Sequence, residues 1–62
     1  MELEDKLMNL LMARKNPNCT LYLIWHYVKE GQIEYARTEF VRDSDKLGVV
    51  RSEVSKLLEI IY

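Results

Sequence analysis

Cysteine occurs once in this chain, at Cys19, so no internal disulfide can staple it. The one histidine, His26, stands seven residues from Cys19, and two ligands fall short of the four that a structural zinc takes. There is no glycine-rich phosphate loop, no acid–base partner placed to activate the thiol, and no paired carboxylates in an evident catalytic setting. These absences point away from an enzyme and from any metal or cofactor. No apolar run approaches the ~20 residues that span a bilayer. The first residues, Met1-Glu2-Leu3-Glu4-Asp5, are acidic, unlike the basic start of a secretory signal. The expected compartment is the cytoplasm, with no membrane partner.

An excess of charge of either sign is also missing. Nine Lys and Arg stand against ten Asp and Glu, for a net charge of −1. The balance is even along the chain, four positive and four negative in residues 1–31, five and six in residues 32–62. Nucleic-acid binders usually carry a basic surplus, because phosphate neutralisation supplies most of their affinity. Any anion-binding face here has to be local.

Apolar residues, by contrast, are plentiful at 48%, with one Trp and four Tyr, which is ample for a core and argues against disorder. The 62 residues leave room for one domain, 1–62. A chain this short buries only about 60% of the surface its unfolded form exposes, so a homodimer is expected to hide the remainder.

Glycine and proline are scarce, two and one, so each marks a boundary. The periodicity predicts an all-α bundle of three to four short helices at about 2–14, 20–30, 32–47 and 50–61. The first places Leu3, Leu7, Leu10 and Leu11 on one stripe and ends at Asn16-Pro17-Asn18, with Arg14 and Lys15 in its last turn. The second, capped by Asn18 or Thr20, is apolar nearly all round, as a central helix is, and Gly31 ends it. The third turns Ile33, Ala36, Phe40, Val41 and Leu47 inward. The fourth does so with Val50, Val54, Leu57, Leu58 and Ile61. A competing pattern overlies this half: Ile33, Phe40, Leu47, Val54 and Ile61 recur every seven residues, a seam that one long helix from 32 to 62 could pair with another chain. Gly48 beside the polar run Arg42-Asp43-Ser44-Asp45-Lys46 favours two helices.

The stretch Leu47-Gly48-Val49-Val50-Arg51-Ser52-Glu53-Val54-Ser55-Lys56-Leu57-Leu58 resembles the turn and second helix of the helix-turn-helix DNA-binding regulators. Leu47, Gly48, Val49, Val54 and Leu57 occupy the places of that family's closing leucine, turn glycine and apolar anchors, over roughly the last third of the chain. The resemblance implies a transcription regulator that reads a DNA duplex. Its second helix would lie in the major groove with Arg51, Ser52, Ser55 and Lys56, while Arg42 and Lys46 hold phosphates. The chain departs from the family at Asp43 and Ser44, where an aliphatic residue and alanine are usual, and at Val50, which stands where Ser or Thr caps the helix. Glu53 adds a negative charge to the same face.

Residues 21–40 are similar to one unit of a tetratricopeptide or pentatricopeptide array, a helix, a glycine turn at Gly31, then Ala36 and Phe40 packing back. With no second copy present, this implies a helical hairpin and no array. The aromatic residues carry the alternative function, a helical protein–protein interaction module acting as adaptor or inhibitor. Tyr22, Trp25 and Tyr27 are the candidates for a dimer or partner interface, with Trp25 expected to reach the core and Tyr22 and Tyr27 toward the other side of the helix.

Overall fold

A computed structural model describes residues 2–13 and 18–60, and the protein is all-α. Helix α1 spans Glu2–Met12, α2 Cys19–Lys29 and α3 Ile33–Asp43; a 3-10 segment follows over Ser44–Val50, and α4 spans Arg51–Leu57. Arg14, Lys15, Asn16, Pro17, Ile61 and Tyr62, which entered the expectations above, lie outside the described residues. No described helix is long and apolar enough to cross a membrane.

Local chemistry sets the helix ends. Glu2, Glu4 and Asp5 occupy the first turn of α1, at the positive end of its dipole. Asn18 caps α2, its Oδ1 accepting from the Leu21 N–H at 3.0 Å. At the other end the Gly31 N–H donates to the Val28 carbonyl (3.0 Å) and the Gln32 N–H to the Tyr27 carbonyl (2.8 Å). This paired closure needs a left-handed residue, and Gly31 supplies it at φ 77°.

One core joins every element: Leu7 from α1, Leu21, Ile24 and Val28 from α2, Ala36 and Phe40 from α3, Leu47 from the 3-10 segment, Val54 from α4 and Leu58 at its C-cap. Helix α2 is central, packing on α1, α3 and the 3-10 segment. It forms the expected hairpin with α3, across a connection of three residues.

Several sequence expectations are corrected. The third helix does not run as an α-helix to Leu47 but tightens into 3-10 geometry after Asp43. Asp43, Ser44 and Asp45 compete for backbone hydrogen bonds and so favour helix ends over interiors. The single long helix is broken at Gly48, whose φ of 64° and ψ of −130° lie outside any helix. The fourth helix stops at Leu57, because Glu59 takes a left-handed φ of 57° and closes the same kind of motif as Gly31. The Glu59 N–H donates to the Lys56 carbonyl (3.2 Å) and the Ile60 N–H to the Ser55 carbonyl (3.0 Å). Val41 faces solvent at 69% exposure, since it lies about 100° around α3 from fully buried Phe40. Trp25 sits half-buried at the rim of the core.

Candidate nucleic-acid interface

The turn before α4 is held from two sides. Asn18, while capping α2 with its oxygen, donates its Nδ2 to the Lys46 carbonyl at 3.0 Å, 28 residues along the chain. One amide thus fixes the start of α2 and the residue before Leu47 together. Leu47 itself is fully buried. Gly48 then reverses the backbone, and the Arg51 N–H returns to its carbonyl. An added Cβ at Gly48 meets nothing within 4 Å, so backbone conformation alone calls for glycine there. Val50 stands at the N-cap of α4 and makes no side-chain bond.

Helix α4 is seated by Val54 and Leu58, both buried, and this decides what faces outward. Arg51, Ser52, Glu53 and Lys56 are exposed, as is Val49 at 89%. Gly48, Val49, Arg51, Ser52, Ser55 and Lys56 line a surface depression of about 550 Å³. Three of the four residues expected on the groove-facing side of this helix, Arg51, Ser52 and Lys56, are therefore presented together. Ser55 departs from that expectation: it is buried, and its Oγ donates to the Ile60 carbonyl at 2.8 Å. Its hydroxyl fastens the end of α4. Arg37 reinforces the same end from α3, its Nε donating to the Leu58 carbonyl at 3.1 Å.

The two expected phosphate contacts, Arg42 and Lys46, are exposed but already engaged with acids. Arg42 Nη2 pairs with Glu39 and Arg42 Nε reaches Asp43 Oδ2 at 3.3 Å, while Lys46 Nζ lies 3.5 Å from Asp43 Oδ1. Glu39 is the unusual member, a carboxyl with only 4% of its side chain exposed. Burial pushes its pKa up, and the neighbouring Asp43 carboxyl adds to the rise, against the pull of Arg42. Asp43 is held low, first by hydrogen bonding with Glu39 and further by Lys46 and Arg42.

The aromatic side chains gather on both flanks of α2. Tyr22, 54% exposed, leans on Trp25 with ring centroids 5.5 Å apart, and Lys29 Nζ lies 5.2 Å above the Trp25 ring. On the opposite flank Tyr27, half-buried, stacks on Tyr35 of α3 at 5.8 Å. Trp25 Nε1 is buried without a hydrogen-bond acceptor among the described residues. Cys19 and His26 are both exposed, and the described residues contain no group of three or more His, Cys, Asp or Glu able to hold a metal.

Sequence reasoning missed two residues that shape this region. The sequence marks Asn18 as a helix cap, and nothing in the pattern marks its reach to Lys46. The sequence pattern assigns Glu39 no role, although its place beside Phe40 and one turn from Ala36 sets it at the edge of the inner face. The chain matches no protein-family model, no curated protein and no solved structure.

Proposed function

We propose that this protein is a small helix-turn-helix-type DNA-binding regulator acting as a homodimer. The observation that carries the reading is the break at Gly48. It ends one helical segment and starts another whose buried side is Val54 and Leu58 and whose exposed side is Arg51, Ser52 and Lys56. In this reading Arg51 and Ser52 meet base edges or phosphates in the major groove and Lys56 meets the backbone. Charge balance sets the character of the binding. Arg51 and Lys56 of α4, together with Arg42 and Lys46 where they leave Glu39 and Asp43, are the phosphate-neutralising groups of each chain. The slope of log K against log salt is then between about −2 and about −4 per chain, shallow for a DNA binder. The double substitution Arg51→Ala with Lys56→Ala is expected to remove duplex binding while leaving the far-ultraviolet circular dichroism unchanged. Wild-type affinity in the double variant, measured by fluorescence anisotropy, overturns this reading.

A second reading rests on a different surface. Tyr22, Leu23 and Tyr35 are exposed beside Trp25 and Tyr27, an aromatic concentration of the kind that protein interfaces favour. It makes the chain an interaction module, adaptor or inhibitor. In nuclease-treated lysate, immobilised protein then retains a defined partner that Tyr22→Ala loses. Identical recovery by both forms excludes this surface.

A further inference from the structure

Near the C-terminal end of α3, two carboxylates and two cations are packed within two helical turns. Glu39 and Asp43 are one turn apart on the same helix. Glu39 is shielded from water, yet Arg42, the cation beside it, is 69% exposed at its side chain, and Lys46, the cation on Asp43, is 66% exposed. The acids are thus the more enclosed members of the cluster and the cations the more exposed. The cluster also lies at a helix C-terminus, where negative charge is unfavourable without cations to offset it.

We propose that Glu39 and Asp43 hold Arg42 and Lys46 in reserve, and that these two cations bind phosphate-type oxyanions in exchange for a proton taken up by the carboxyl pair. The DNA duplex as the natural source of that oxyanion rests on the function proposed above; the exchange itself does not.

The electrostatics run in one direction. In the free protein, two negative groups face two positive ones, Arg42 from α3 and Lys46 from the 3-10 segment. When the cations turn to an oxyanion, two carboxylates remain one turn apart with a third negative group close by. Like charges at that spacing disfavour ionisation, so one proton is bound in the complex that was not bound before. Its place is the buried carboxyl of Glu39, whose pKa burial already pushes up from its ordinary value. By linkage, a reaction that takes up a proton strengthens as pH falls, about tenfold per pH unit where one full proton is taken up. Binding is therefore tighter at pH 5.5 than at pH 7. Glu39→Gln keeps the side-chain shape but carries no charge, so it mimics the protonated state at every pH.

The test is a titration of the full chain with a DNA duplex and, separately, with dextran sulfate, a polyanion that does not itself titrate in this range. Each is run at pH 5.5 and pH 7, on wild type, Glu39→Gln and Asp43→Asn. Carboxyl carbon NMR shifts of Glu39 and Asp43 report the proton. The expected result is wild-type binding that tightens from pH 7 to pH 5.5, by at most about tenfold per pH unit, with protonation seen at Glu39. Glu39→Gln binds at pH 7 about as tightly as wild type does at pH 5.5. Both variants keep every other side chain, so their difference from wild type belongs to the carboxyl pair. Asp43→Asn, which also removes one charge from the pair, supplies the same comparison if Glu39→Gln loses its fold. Exchange seen with dextran sulfate alone upholds the inference and removes DNA as the partner. Binding of both polyanions with the same pH dependence in wild type and variants overturns the inference and leaves the DNA reading standing. Absence of binding to either polyanion at pH 5.5 overturns both.

Discussion

Phe40→Ala is expected to leave the chain largely unfolded at 25 °C. Phe40 is the only phenylalanine and, among the described residues, the largest fully buried side chain, in a core to which every helix contributes. Truncating such a residue costs about 3–5 kcal/mol through lost transfer energy and the cavity left behind. A domain of this size rarely holds more than about 3–5 kcal/mol in total, so the substitution consumes the whole margin. Circular dichroism and urea titration measure the effect. Val41→Ala, one residue along and 69% exposed, is the control and is expected to change stability by less than about 0.5 kcal/mol. A cooperative, near-wild-type transition in Phe40→Ala contradicts the packing described here.

The second large effect is expected at Gly48. Its φ of 64° with ψ of −130° is a conformation that a β-branched residue adopts only under strain. Gly48→Val therefore costs about 1–3 kcal/mol although no atom stands within 4 Å of the added Cβ. The loss comes from the turn alone, and the buried contacts of Leu47 and Val54 on either side are disturbed through it. Urea denaturation gives the magnitude, and amide NMR shows where the change falls. Unchanged stability means that the chain takes a different path between α3 and α4, such as the continuous helix that the heptad pattern allows.

That heptad pattern shows what the sequence can and cannot specify. Phe40, Leu47 and Val54 stand seven residues apart and are all fully buried, yet the backbone linking them is bent. Positions that suit a straight seam also suit a folded-back core, so periodicity alone does not separate the two; the glycine and the polar run before it do. The all-α class, the hairpin at Gly31 and the central place of α2 were legible for similar reasons, since each rests on a periodic stripe or a breaker. The end of α4 was not legible. Glu59 performs there the left-handed closure that Gly31 performs for α2, and only glycine or asparagine advertises that role in a sequence. The outward position of Ser55 failed with it, because its hydroxyl turns to the carbonyl of Ile60 only once the helix has ended. Arg51, Ser52 and Lys56 are exposed as a helix starting after Gly48 requires. The engagement of Arg42 and Lys46 could have been suspected from acids at helical spacing, Glu39 with Arg42 and Asp43 with Lys46. The burial of Glu39 could not, because it depends on how neighbouring elements cover that edge of α3.

The measurement that bears most directly on the proposed function is a low-salt titration of isotope-labelled protein with a DNA duplex, followed by amide NMR. Non-specific binding by a DNA reader falls at about 10⁻⁴ to 10⁻⁶ M and tightens as salt is lowered. The proposed function predicts shift changes centred on Gly48 to Lys56 that disappear when salt is restored. Shifts confined to the aromatic flanks of α2, or none at all in low salt, contradict it.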